Sequence, residues 1–82
     1  MKFYVYMLHT KSKKNITYVG YTNDVKKRLK LHNSSKGAKF TRGRQWKLIY
    51  KEVLASKSEA ISREYYIKKN RNIRNKIKKL YI

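Results

Sequence analysis

Three groups of side chains in this sequence could do chemistry. Arg28 and His32 stand four residues apart in the run VKKRLKLH, so on a helix they are surface neighbours. On a wheel of 100° per residue, Val25, Leu29 and His32 share one face and Arg28 lies at its edge. That face should meet a sheet, yet it carries two basic groups. An arginine there can snorkel past a core, and a histidine late in a helix is favoured by the dipole. The alternative is that the face walls a phosphate-binding cleft. Glu64 poses the same question more sharply. It falls inside the apolar stripe Ala60, Ile61, Glu64, Ile67 of a second helix. A carboxylate turned toward a core must be paired, hydrogen-bonded or metal-bound. Its partner could be an arginine such as Arg28. It could equally be Mg²⁺, which takes one or two carboxylates and completes its shell with water and phosphate. The third group is aromatic. Of eight tyrosines most must be packing, but Tyr4 and Tyr6 alternate onto one face of a strand, and Tyr18 and Gly20 onto one face of the next. If those strands pair antiparallel, Tyr6 and Tyr18 stand near each other. Gly20 removes a side chain beside Tyr18, either for a close backbone approach to a ligand or as a turn or bulge glycine.

These residues need elements to position them. Lys2–His9 is rich in aromatic and β-branched residues and predicts a strand. Thr10–Asn15 (TKSKKN) predicts a polar turn, and Ile16–Tyr21 a second strand that completes a hairpin. Thr22, Asn23 and Asp24 supply helix-cap chemistry for a helix from Val25 to Asn33, with Asp24 in its first turn. Ser34–Gln45 (SSKGAKFTRGRQ) is a basic loop. Trp46–Leu54 predicts a third strand. Ser56 with Glu59 three residues on matches a capping box, opening a helix to about Asn70. Ile73, Ile77 and Leu80 are spaced for a short final helix over Ile73–Ile82. The order β-β-α-β-α(-α) is that of a small α+β domain, a class of α/β fold with one three-stranded antiparallel sheet flanked by helices. No repeat, linker or second domain is visible in residues 1–82.

The charge narrows the partner. Lysine and arginine number 23 against four acids, a formal net charge of +19. Such self-repulsion is relieved by a polyanion, and phosphate contacts with counterion release make nucleic acid the expected partner. There is no cysteine, which excludes disulfides and thiolate zinc sites. No apolar run approaches the roughly 20 residues of a membrane span, and no secretory signal pattern opens the chain. The expectation is an intracellular, cytoplasmic, nucleic-acid-associated protein with no membrane partner.

Taken together, these pieces resemble the GIY-YIG nuclease superfamily. The first motif stands as Tyr4-Val5-Tyr6 and the second as Tyr18-Val19-Gly20, with eleven residues between Tyr6 and Tyr18. The helical arginine matches Arg28, the histidine one turn later in some members matches His32, and the late glutamate matches Glu64. The stretches GAKFTRG (37–43) and EYYIKK (64–69) are similar to small stand-alone members related to the nuclease domain of the bacterial excinuclease. The first glycine of the motif is Tyr4 here, a lysine of the excinuclease domain is replaced by Tyr21, and Asn70, Asn72 and Asn75 all remain candidates for the late asparagine of the family.

The resemblance implies cleavage of DNA phosphodiester bonds with one divalent ion, Mg²⁺ or Mn²⁺. Tyr6 and Tyr18 would position or deprotonate the attacking water. Arg28 would stabilise charge on the transferring phosphate. His32 would hold a phosphate or assist proton transfer. Glu64 would hold the metal. Gly20, the loop residues Lys36, Lys39, Arg42 and Arg44, and Lys68 and Lys69 would contact the nucleic acid. The alternative is a module of the same fold that binds DNA or RNA without cutting it. In a domain of this size, choice of target would rest on loops or on a protein partner.

Overall fold

A computed structural model describes residues 2–10, 16–34 and 36–81. Its elements run β1 (Phe3–Thr10), β2 (Ile16–Thr22), α1 (Val25–Asn33), a short 3₁₀ turn (Lys39–Thr41), β3 (Lys47–Leu54), α2 (Lys57–Lys69) and α3 (Arg71–Tyr81). The strands form one antiparallel sheet in the order β2-β1-β3. This is the α+β arrangement the sequence predicts. The hairpin turn expected over Thr10–Asn15 falls mostly outside the described residues, although Thr10 itself still belongs to β1.

The central place of β1 explains its composition. A strand covered on both faces reads as a continuous apolar run instead of alternating with polar residues, and Val5 to Thr10 are all buried. The odd positions Val5 and Met7 join Val19, Ile49, Ala60, Ile67 and Ile77 in a wholly apolar core beneath α2 and α3. The even positions Tyr6 and Leu8 join Trp46, with Tyr18, Leu29 and Leu48 packed around them. The register of β3 shifts between Met7 and Leu8. This bulge lets adjacent residues Ile49 and Tyr50 meet the same core, where regular alternation would part them.

The helices start where their caps lie. Asp24 is the cap of α1 itself, not a first-turn residue, and accepts from Lys27 N at 3.1 Å. Ser56 accepts from Glu59 N at 3.2 Å and donates to the Glu59 carboxylate at 3.1 Å. Asn70 ends α2 and accepts from Ile73 N at 3.1 Å, so one residue stops one helix and starts the next. Two expected core positions are corrected. Ile61 is 43% exposed, because the inward stripe of α2 runs through Ala60, Glu64 and Ile67 at i, i+4, i+7. Leu80 is 71% exposed, because α3 meets the sheet through Ile73 and Ile77 and its last turn runs past the core.

Candidate active site

The β1–β2 register places Tyr6 opposite Gly20 and Leu8 opposite Tyr18. Tyr6 therefore lies diagonally from Tyr18 on one face, and their ring centroids are 6.4 Å apart. A side chain at position 20 would collide with this pair. A Cβ there would lie 2.6 Å from Tyr6 Oη and 3.1 Å from Tyr18 Cε2. Gly20 thus makes room for the phenol of Tyr6 across the sheet. It is neither a turn nor a bulge residue, and the space it opens is filled by protein.

The polar network beneath Tyr6 can be assigned by counting hydrogens. Thr41 Oγ1 donates to the Ala38 carbonyl at 2.7 Å. That uses its single hydrogen, so toward His32 Nδ1, at 2.8 Å, it can only accept. Nδ1 therefore carries the imidazole proton. Nε2 is left as the acceptor for the Tyr6 hydroxyl at 2.9 Å. His32 is completely buried with both nitrogens engaged, so it can reach a substrate only through Tyr6. Burial first, and the positive charge of Arg28 second, hold its pKa below the usual histidine value; it is neutral at pH 7. Burial also pushes Tyr6 up to about 12, against a smaller opposing pull from Arg28. A free Tyr6 phenolate is thus scarce at neutral pH.

The loop between α1 and β3 builds the floor of this network. Asn33 at the end of α1 donates to Trp46 O at 3.1 Å and accepts from Trp46 N at 2.5 Å. The Trp46 indole N–H donates to Thr41 O at 3.0 Å. The loop then passes so close to His32 that a Cβ at Gly37 would lie 2.4 Å from Nδ1. Tyr18 stands above, 5.1 Å from the His32 ring and stacked on Phe40 at 6.2 Å.

The cleft itself has a volume of about 460 Å³ and is lined among others by Tyr6, Tyr18, Gly20, Arg28, Lys57 and Glu64. Glu64 is the one acid among its described lining residues, with a side chain 19% exposed and Lys68 Nζ 3.5 Å from Oε1. Its ion pair is with Lys68, not with Arg28. Lys68 also spans toward Tyr18, 5.7 Å from the ring centre. Of the residues expected to grip nucleic acid, Gly20 lines the cleft, and Lys68 reaches its lining residues Glu64 and Tyr18. Arg44 packs over Phe40 at 5.2 Å, next to it. Lys36, Lys39 and Arg42 are exposed on the loop, and Lys69 lies over Tyr65 at 5.3 Å; none of these four lines the cleft. Sequence reasoning missed Lys57, Gly37 and Thr41. Lys57 follows the cap serine of α2, a position with no chemical signature, and the other two act across a loop where no helical or strand period applies.

An arginine from α1, a carboxylate from α2 and two tyrosines from the sheet thus line one cleft, and comparison with known proteins gives the class of domain. The family model described as the GIY-YIG catalytic domain matches residues 2–81. This chain belongs to that family. It is 48% identical over 81 residues to the UPF0213 protein YazA of Bacillus subtilis, covering 98% of this chain and 75% of that protein. It is 55% identical over 67 residues to the UPF0213 protein CPE1444 of Clostridium perfringens, covering 80% and 70% of the two chains. The solution NMR structure of the UPF0213 protein BH0048 from Bacillus halodurans is similar with a TM-score of 0.57 at 41% identity, covering 98% of this chain and 85% of that one.

Proposed function

We propose that this chain is a metal-dependent endonuclease or nickase that hydrolyses DNA phosphodiester bonds. The observation that carries the reading is the buried chain Tyr6–His32–Thr41, whose Tyr6 lines a cleft together with Arg28 and Glu64. Purely structural packing has little use for a buried proton acceptor aimed at a cleft-lining phenol.

The chain's own residues can move the proton without a standing phenolate. An attacking water gives its proton to Tyr6 Oη as Tyr6 gives its own to His32 Nε2. The new imidazolium keeps Nδ1–H on Thr41. The water oxygen forms the bond to phosphorus, and the opposite P–O bond breaks with its electron pair on the leaving oxygen, which is protonated by solvent. Tyr18 sits beside Tyr6 to position the water. Arg28 faces the charge that gathers on the phosphoryl oxygens. Glu64 fits as the protein ligand for one Mg²⁺ or Mn²⁺. It is a lone cleft carboxylate with one long contact to Lys68, and such ions accept a single carboxylate when phosphate and water supply the rest. When bound, the ion would lower the pKa of a coordinated water and shield the leaving oxygen.

The test is cleavage of supercoiled plasmid and branched DNA with Mg²⁺ or Mn²⁺. Wild type should nick or cut, and Glu64→Ala and Tyr6→Phe should not. DNA or RNA binding with no metal-dependent product in any variant would leave a binding module of the same fold.

A further inference from the structure

A second cavity, of about 500 Å³, lies at the far end of β1 and is lined by His9, Arg44, Trp46 and Lys47 among others. Two buried nitrogens beside it have no hydrogen-bond partner among the described residues: His9 Nε2, on a residue only 4% exposed, and Arg44 Nη1. Buried polar atoms are almost always satisfied, so two together call for an explanation. Arg44 Nη1 can only donate, and an imidazole nitrogen can do so as well. Among the described residues, no acid lines the cavity. What would satisfy this set is an acceptor with negative charge. We infer that the cavity binds one backbone phosphate of the nucleic acid, outside the scissile position.

The inference rests on the nucleic-acid reading above and adds a location to it. Arg44 joins the two sites: its guanidinium covers Phe40, which stacks on Tyr18 at the cleft. A strand whose scissile phosphate lies at Arg28 would pass over Phe40 and bring another of its phosphates between His9 and Arg44.

The experiment uses the full chain carrying Glu64→Ala, without divalent metal, so that binding is read apart from cutting. Titration with inorganic phosphate should move the His9 imidazole and Arg44 guanidinium NMR signals saturably while those of His32 stay in place. With a short DNA duplex, Arg44→Gln should flatten the slope of log K against log salt by about 0.9, the loss of one phosphate contact. Arg44→Lys should restore it, and well-dispersed amide spectra check that each variant folds. A phosphate titration that leaves His9 unmoved overturns the inference, as does an unchanged salt slope in Arg44→Gln. Saturable phosphate binding with no duplex binding overturns the strand as the source, and with it the nucleic-acid reading. Duplex cutting by wild type with an unperturbed His9 sinks only the second site.

Discussion

The two faces of the central strand are built by different means. On one, Val5 and Met7 meet Ala60, Ile67 and Ile77 without a polar atom among their side chains. On the other, Tyr6 and Leu8 meet Trp46 and a fully buried histidine whose two nitrogens are both bonded. The first face needs only volume and apolar area, which many side chains provide. The second needs particular atoms at particular distances, since a half-satisfied polar network is worse than an apolar one. The small domain has thus separated holding itself together from holding a phenol and an imidazole in place.

A crossed pair of substitutions tests that separation with the largest effects. Ile67→Ala empties the apolar face and should destabilise the fold by about 2–5 kcal/mol, measured by chemical denaturation. Its kcat per folded molecule should stay near wild type. Tyr6→Phe should act mainly on kcat, with a smaller loss of stability. Loss of a positioned proton-transfer group lowers kcat by about 10²–10⁴, whereas leaving His32 Nε2 without its donor costs stability by about 1–3 kcal/mol. If Ile67→Ala lowers kcat as much as Tyr6→Phe does, the two faces are one cooperative unit and the comparison fails.

Gly20→Ala comes next, because one methyl group strikes the second face alone. Its Cβ would meet Tyr6 Oη at 2.6 Å, and overpacking of that kind costs about 1–3 kcal/mol. The phenol must shift, so the bond to His32 and the cutting activity should fall together. A crystal structure or NMR spectrum of the variant with Tyr6 in place and activity intact would show that the close fit at Gly20 has no functional weight.

How much of this could be read from residues alone also divides along the two faces. The apolar face was legible in its helices, since Ala60, Ile67 and Ile77 follow helical periods, whereas Val5 and Met7 stand in the unbroken apolar run of a strand covered on both faces. The caps at Ser56 and Glu59 were legible too, because capping chemistry is local, while Asp24 was read into the first turn of α1 and is its cap. Ile61 and Leu80 misled because helical spacing says which residues share a face but not how far the neighbouring element extends. Arg28, His32 and Glu64 stood out as polar groups on inward faces, and the structure places Arg28 and Glu64 on one cleft with Tyr6 and Tyr18. Their pairings were read less well. Arg28 was weighed as the partner of Glu64, whereas Lys68, four residues on along the same helix, is the neighbour that helix spacing itself offers. Thr41 and Gly37 reach His32 through a loop fixed by the Asn33–Trp46 clamp, a long-range contact with no periodic trace.

Thr41→Val should have a smaller effect, and its nature matters more than its size. Valine keeps the shape and removes the acceptor for His32 Nδ1–H. The imidazole can escape the penalty by moving its proton to Nε2 and donating to Tyr6 Oη. Stability should then fall by only about 0.5–1.5 kcal/mol. The moved proton blocks the site where Tyr6 would deliver its own, so cutting should drop about twofold to twelvefold, the same energy expressed as a population. The ¹⁵N shifts of His32 read the tautomer directly. A Thr41→Val protein that loses activity with the Nδ1–H tautomer unchanged would mean that the threonine serves packing only.

The gentlest probe is pH, which the apolar face should ignore and the polar face should not. The folded pKa of His32 lies below its ordinary value, so its contribution to stability is present above about 6.5 and is lost as pH falls through the folded value. Protonation also fills Nε2, so activity should decline over the same acid range. Tyr6 works in the opposite sense. Its pKa is raised from 10.0 to about 12, so its contribution is intact below 10 and is lost as pH rises toward 12. Denaturation series across pH should therefore lose stability at both ends for wild type and for Ile67→Ala alike, the second simply displaced downward. His32→Gln, which cannot take up a proton there, should remove the acid-side loss, and Tyr6→Phe the alkaline one. An acid-side loss that persists in His32→Gln would have to arise elsewhere, and the buried imidazole would then not be the proton acceptor that the second face is built to hold.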